Sequence, residues 1–132
     1  MRRRMVAAIA AALFMTVGGP ARAEDCHRAM AQADMDSCAE QDFENADTAL
    51  NLTYQALQER LDDHGRAALR SAELAWIRWR DAECGSRTLH SEGGTIRPVE
   101  LAECRADLTK ARTDQLHNEL ACQTGSNTCI HD

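Results

Sequence analysis

The sequence LRSAELAWIRWRDAEC, residues 69–84, decides how this chain folds. Its apolar residues recur at steps of three and four, which places Leu69, Trp76 and Trp79 in one stripe of a helix. Both tryptophans of the chain lie in this stripe, and each can bury about 150–250 Å² of surface. We therefore predict a central helix whose two tryptophans are mostly buried.

The first 23 residues have the features of a cleaved secretory signal peptide. Residues 2–4 are arginines, residues 5–17 form a short apolar run, and residues 21–23 read Ala-Arg-Ala, the pattern that signal peptidase requires. The apolar run is shorter than the roughly 20 residues that span a bilayer. No cysteine directly follows Ala23, so a lipid anchor is not predicted. We expect a mature domain over 24–132, periplasmic or secreted and without a membrane anchor.

The expected mature chain is strongly acidic. Four of the 15 basic residues and none of the 21 acidic residues lie within 1–23, which leaves 11 basic residues and a net charge of −10. Nucleic acid and anionic membranes would repel such a chain. A basic partner protein would be attracted to it.

All six cysteines lie in the exported part, and an even number in a small secreted domain predicts disulfides. Six cysteines allow 15 pairings, and the spacing alone does not choose among them. Metal binding is the alternative, because His117 precedes Cys122 and His131 follows Cys129. No Cys-x-x-Cys pair with zinc spacing is present, so we predict no metal site. The cysteines are Cys26, Cys38, Cys84, Cys104, Cys122 and Cys129.

The mature chain has helical periodicity nearly throughout. The spacing predicts helices over 32–61, 66–87 and 98–122, with Gly65 as the C-terminal cap of the first and a polar tail from about residue 123. Three helices with short connections predict an all-α fold, a small antiparallel three-helix bundle stapled by disulfides.

The cysteines, the tryptophan helix and the sequence around them resemble the LprI-like lysozyme-inhibitor domain family. The similar residues include Asp25-Cys26, Gln32-Ala33-Asp34-Met35, Ala75-Trp76-Ile77, Arg80-Asp81-Ala82, Cys84 and Cys104, and the resemblance extends from Asp25 to Leu116. The order of cysteine, tryptophan and cysteine is more specific than any single motif in it.

The resemblance implies a small, exported, helical, disulfide-bonded protein. Cys122 and Cys129 lie outside the family pattern, which implies that they pair with each other and leaves Cys26–Cys38 and Cys84–Cys104. The activity for which the family is named implies a partner, a basic lysozyme or another cell-wall hydrolase. The alternative is a structural or stress-related periplasmic protein with a different partner. Both functions predict the same fold, so the fold does not distinguish them.

No motif indicates an enzyme. The chain lacks Gly-x-Ser-x-Gly, His-Glu-x-x-His and a glycine-rich phosphate loop, and its five histidines are scattered. We therefore predict no catalytic residue and no cofactor.

The candidate partner-binding site is the loop 85–97, the longest segment between predicted helices. A bond between Cys84 and Cys104 would tether its base, and a tethered loop loses less entropy on binding. The groups that could meet the carboxylates of a hydrolase are Arg87, His90, Ser91 and Arg97. The alternative is a solvated turn without a binding role, because such turns have the same amino-acid composition.

Overall fold

The computed structural model describes residues 26–123, and within that range the chain is helical. A 3-10 turn at Cys26–Arg28 precedes α1 (Gln32–Gln58) and α2 (Asp63–Arg87), and a second turn at Leu89–Ser91 leads to α3 (Arg97–Gln123). The described residues form no β-strand, and the predicted all-helical bundle stapled by disulfides is confirmed. The predicted signal peptide 1–23, the tail, Cys129 and His131 lie outside the described residues.

The first helix ends three residues earlier than predicted, and Gly65 does not cap it. Asp62 is instead the N-cap of α2, because its carboxylate accepts a hydrogen bond from the backbone N–H of Gly65 at 2.7 Å. Aspartate is a strong N-cap residue since its side chain satisfies a helix N–H that has no partner within the helix. Gly65 therefore lies in the first turn of α2.

The most extensive contact in the bundle joins α1 and α3. Buried residues recur along both helices at steps of three and four, or multiples of a turn, which is the spacing of a helix–helix seam. Alanine and threonine predominate among them, and small side chains let two helix backbones approach closely. They are Ala39, Ala46, Leu50, Thr53 and Leu57 in α1, and Val99, Ala102, Ala106, Thr109, Thr113 and Leu116 in α3.

The second helix contributes charged side chains to the interior. Arg80 is 6% exposed, and its guanidinium donates to Thr109 at 3.2 Å and stacks over the rings of Phe43 and Trp76 at 5.1 and 5.3 Å. Its nitrogens also lie 3.7 Å from the Asp47 carboxylate and 3.1 Å from that of Asp81. Arginine suits this position because its planar group can stack on rings and donate hydrogen bonds at its edge.

The prediction that both tryptophans are mostly buried is wrong for Trp79. Trp76 is half-buried and packs against the apolar cluster that contains Leu50, Leu57 and Leu116, but Trp79 is 50% exposed. The buried face of α2 follows Glu73, Arg80 and Cys84. Consecutive helical residues are rotated by about 100°, so Trp79 is turned away from the face on which Arg80 lies.

Two disulfides fasten the ends of the helices. Cys26–Cys38 holds the N-terminal turn to α1, and Cys84–Cys104 joins the last turns of α2 to the start of α3. These are the two pairs that the family resemblance implied. The predicted Cys122–Cys129 pair includes a residue outside the described range and stays a prediction. No helix within 26–123 is apolar over enough of its length to cross a lipid bilayer.

Candidate functional site

The loop between α2 and α3 spans residues 88–96 and is shorter than predicted. The helix α2 continues through Gly85 to Arg87, and α3 begins at Arg97, so the ends of the predicted segment are helical. Cys84 at the base of the loop is completely buried and bonded to Cys104. A covalent bond therefore joins the two helices directly behind the loop.

Hydrogen bonds within the loop hold it in one conformation. The Thr88 hydroxyl donates to Cys84 O at 2.9 Å, and Thr88 O accepts the backbone N–H of Ser91 at 3.2 Å. The N–H of Gly94 then donates to Ser91 O at 2.9 Å. Gly93 between them has φ of +79°, a conformation that glycine adopts without steric cost. The loop is thus a structured turn.

Glu100 in the first turn of α3 contacts two polar side chains of the loop, Ser91 and His90. One of its carboxylate oxygens accepts the Ser91 hydroxyl, and the other lies 3.3 Å from His90 Nε2. The hydrogen bond from Ser91 lowers the pKa of Glu100, partial burial opposes that change, and the hydrogen bond and charge of His90 lower it further. Glu100 is therefore an anion that ties the loop to α3 at neutral pH.

His90 has two acceptors and satisfies both only when it is protonated. Its Nδ1 lies 3.0 Å from Arg87 O, and its Nε2 faces the Glu100 carboxylate. A neutral imidazole carries one N–H, whereas the imidazolium carries two. His90 therefore connects the end of α2, the loop and α3.

The four predicted site residues lie at one end of the bundle, but they are not equally accessible. The side chains of Arg87 and His90 are 56% and 68% exposed, and Arg87 pairs with Glu83 at 2.8 Å. Ser91 is directed to Glu100, and Arg97 lies 3.5 Å from Glu92 with its side chain largely covered. Arg87 presents guanidinium N–H groups to solvent, whereas both ring nitrogens of His90 face acceptors within the protein.

Two apolar residues of the loop are exposed and were missed by sequence reasoning. Leu89 is 58% exposed and Ile96 is 39% exposed, one near each end of the loop. Exposed apolar side chains at the centre of a contact, surrounded by polar groups, are typical of protein-binding surfaces. The sequence indicates these positions, because Leu89 and Ile96 are apolar residues in an otherwise polar segment. We call Leu89 and Ile96 the apolar pair.

The polar groups of the loop do not form a serine–histidine pair. The Ser91 hydroxyl reaches Glu100 and Thr88 O, and no hydrogen bond joins it to His90 within the described residues. A histidine can act as the base of a serine nucleophile only when the two are within hydrogen-bond distance. Within 26–123 no three His, Cys, Asp or Glu side chains are grouped as metal ligands would be.

Comparison with known proteins places these features in a family context. The family model described as lysozyme inhibitor LprI matches residues 23–116. An uncharacterized protein of Rhizobium meliloti (strain 1021) is 36% identical over 127 residues, which covers 83% of this chain and 91% of that protein. No solved structure matches the chain.

Proposed function

Because this chain belongs to the LprI lysozyme inhibitor family, we propose that the exported protein binds a basic lysozyme or a related cell-wall hydrolase and blocks its substrate cleft with the loop 88–96. The observation that carries the proposal is a loop fastened at its base by Cys84–Cys104 that exposes the apolar pair. The family is named for inhibition of an enzyme and not for catalysis.

The rigidity of the loop supports this role. A flexible loop loses conformational freedom when it binds, and ordering each side chain costs about 0.5–1.5 kcal/mol. The disulfide and the internal hydrogen bonds of Thr88, Ser91 and Gly94 order this loop before it meets a partner. The entropic cost of ordering the loop on binding then offsets a smaller part of the favourable contact free energy.

The chemistry of the loop surface fits a cleft that contains carboxylates. Leu89 and Ile96 would bury apolar surface, which contributes about 25 cal/mol per Å². Arg87, two residues before Leu89, supplies guanidinium N–H groups that can donate to a catalytic carboxylate. The loop therefore offers an apolar contact with donors at its edge.

The charge of the chain supports a basic partner. With cleavage after Ala23, the mature protein carries a net charge of −10. Opposite net charges accelerate association of two proteins at low ionic strength, and salt screens the effect. We propose that the signal peptide 1–23 directs the protein to the periplasm or the medium, the compartments in which cell-wall hydrolases act.

The test is the lysis of bacterial cell walls by lysozyme in the presence of excess mature protein. Wild-type protein should slow lysis, and the double variant Leu89→Ser and Ile96→Ser should not. The matched control is Met30→Ser with Leu52→Ser, which removes two exposed apolar residues outside the loop (88% and 63% exposed) and should still inhibit. Lysis unaffected by the wild type would refute the proposal, and full inhibition by the loop variant would exclude this loop as the site.

A further inference from the structure

A cleft of about 200 Å³ lies between α1 and α2 and shares no residue with the loop 88–96. Its apolar lining consists of Leu50 and Tyr54 from α1 and of Leu74 and Ile77 from α2. Leu74 is 49% exposed, so part of this lining is open to solvent. Small-molecule sites usually enclose about 300–1,000 Å³, and this smaller volume suits a single side chain.

Glu73, one of the lining residues, has a buried carboxylate oxygen without a hydrogen-bond partner in the described part of the chain. The Glu73 side chain is only 10% exposed, and its Oε2 accepts two hydrogen bonds from Arg112. Its other oxygen, Oε1, is buried and receives no hydrogen bond from the described part of the chain. A buried polar atom left unpaired costs about 1–3 kcal/mol, and more for a charged group. Because a carboxylate oxygen only accepts, a ligand that satisfies it must donate.

The remaining polar groups of the cleft include further acceptors. The Asp47 carboxylate is 46% exposed, lies 3.7 Å from a guanidinium nitrogen of Arg80, and accepts a hydrogen bond from Asn51 Nδ2 at 3.0 Å. The side-chain oxygen of Asn51 is thus a further acceptor. Arg70 is an exposed donor in the lining, one turn before Glu73, and it could bind a carbonyl oxygen of the ligand's main chain. A ligand with several N–H groups and an adjoining peptide carbonyl matches this set.

We propose that the cleft between α1 and α2 binds one arginine side chain of a basic partner protein. The aliphatic stem of the arginine would pack on Leu74 and Ile77, and the guanidinium would donate to Glu73 Oε1 and to Asp47. Arginine is favoured over lysine because its planar group can donate to two acceptors at once. The net charge of −10 expected for the mature protein attracts such a partner. This site is independent of the loop and does not rest on the proposed inhibition.

The experiment is an NMR titration of the mature protein with the peptide acetyl-Gly-Arg-Gly-amide. We expect saturable shifts at Leu50, Tyr54, Leu74 and Ile77. The same peptide with citrulline in place of arginine keeps the shape and lacks the charge, so it should produce no such shifts.

Two variants with matched controls assign the binding to the cleft. Glu73→Gln should raise the dissociation constant about tenfold or more, as expected for loss of a charged hydrogen bond. Glu40→Gln makes the same change at an exposed position of α1 and should leave binding unchanged. Leu74→Lys places a competing cation in the cleft and leaves the Glu73–Arg112 pair intact, so it should abolish binding. Leu52→Lys adds the same charge outside the cleft and should not.

Several results would overturn the proposal. Equal shifts with the citrulline peptide would show that the charge is not recognised. Shifts spread over acidic residues elsewhere would indicate non-specific attraction. Binding retained by both cleft variants would place the arginine elsewhere, and cleft shifts that follow protein concentration without peptide would indicate that a second copy of the chain fills the cleft.

Discussion

Arg112 donates two hydrogen bonds to one oxygen of Glu73, with Nε and Nη2 each 3.0 Å from Oε2. The two side chains are 17% and 10% exposed, and they join α3 to α2 across 39 residues of sequence. The Arg112 guanidinium also lies over the ring of Trp76 at 5.9 Å. This ion pair therefore occupies an interhelical position that apolar side chains would fill in most bundles.

Loss of Arg112 should destabilise the protein strongly, because Glu73 would keep a buried charge without a counterion. We expect Arg112→Ala to lower the free energy of unfolding by about 3 kcal/mol, measured by urea denaturation. Lys110→Ala breaks an exposed pair with Asp42 and should cost less than about 1 kcal/mol. Equal losses in the two variants would mean that burial of Glu73 contributes nothing to the effect.

The two tryptophans should respond differently to truncation. Trp76 packs against the apolar cluster and contacts the guanidinium groups of Arg80 and Arg112, so Trp76→Ala should cost about 2–3 kcal/mol, less than for a fully buried tryptophan. Trp79→Ala should cost less than about 1 kcal/mol, since half of this side chain is exposed. Iodide should quench the fluorescence of the Trp76→Ala protein, which retains Trp79, more than that of Trp79→Ala. Equal quenching would contradict the assigned exposures.

The Cys84–Cys104 disulfide should contribute about 3 kcal/mol to stability, mainly by restricting the unfolded chain. We expect the Cys84→Ala and Cys104→Ala double variant to lose this amount in urea denaturation. Hydrogen exchange should also accelerate first at the N–H groups of Ser91 and Gly94, which bond within the loop. Unchanged exchange at these two amides would show that the loop is ordered without the disulfide.

The stability that Glu100 contributes should depend on pH. Its pKa in the folded protein lies below the ordinary value of 4.5 for glutamate, chiefly because the Ser91 hydroxyl donates to the carboxylate. A carboxyl group with a lowered folded pKa stabilises the fold above its unfolded pKa, and that contribution is lost as the pH falls through the folded pKa. We therefore expect this contribution to be present at pH 7 and to disappear in acid.

The Ser91→Ala variant tests the cause of this shift. An NMR titration of the Glu100 side chain should give a higher pKa in Ser91→Ala than in the wild type, closer to 4.5. Thr95→Ala changes an exposed residue of the same loop and should leave the Glu100 pKa unchanged. The same pKa in all three proteins would mean that Ser91 does not stabilise the anion.

Only part of the candidate site could be predicted from the sequence. The resemblance and the cysteines indicated the disulfide behind the loop, and His90 and Arg87 are exposed as a partner-binding role requires. The selection of polar residues was less successful, because Ser91 is turned inward to Glu100, nine residues later. Leu89 and Ile96 were overlooked because the folded chain leaves these apolar residues uncovered.

Local spacing determined the helices, because a backbone hydrogen bond and a side-chain stripe both repeat within four residues. Tertiary structure decided which face of α2 is buried. Trp79 and Arg80 are neighbours in sequence, yet Arg80 enters the interior because Thr109, Phe43 and Trp76 provide an acceptor and two rings for its guanidinium. Thr109 lies 29 residues away on another helix. Thr109 approaches Arg80 only once the helices have packed. Periodicity within α2 alone therefore predicted that Trp79 is buried.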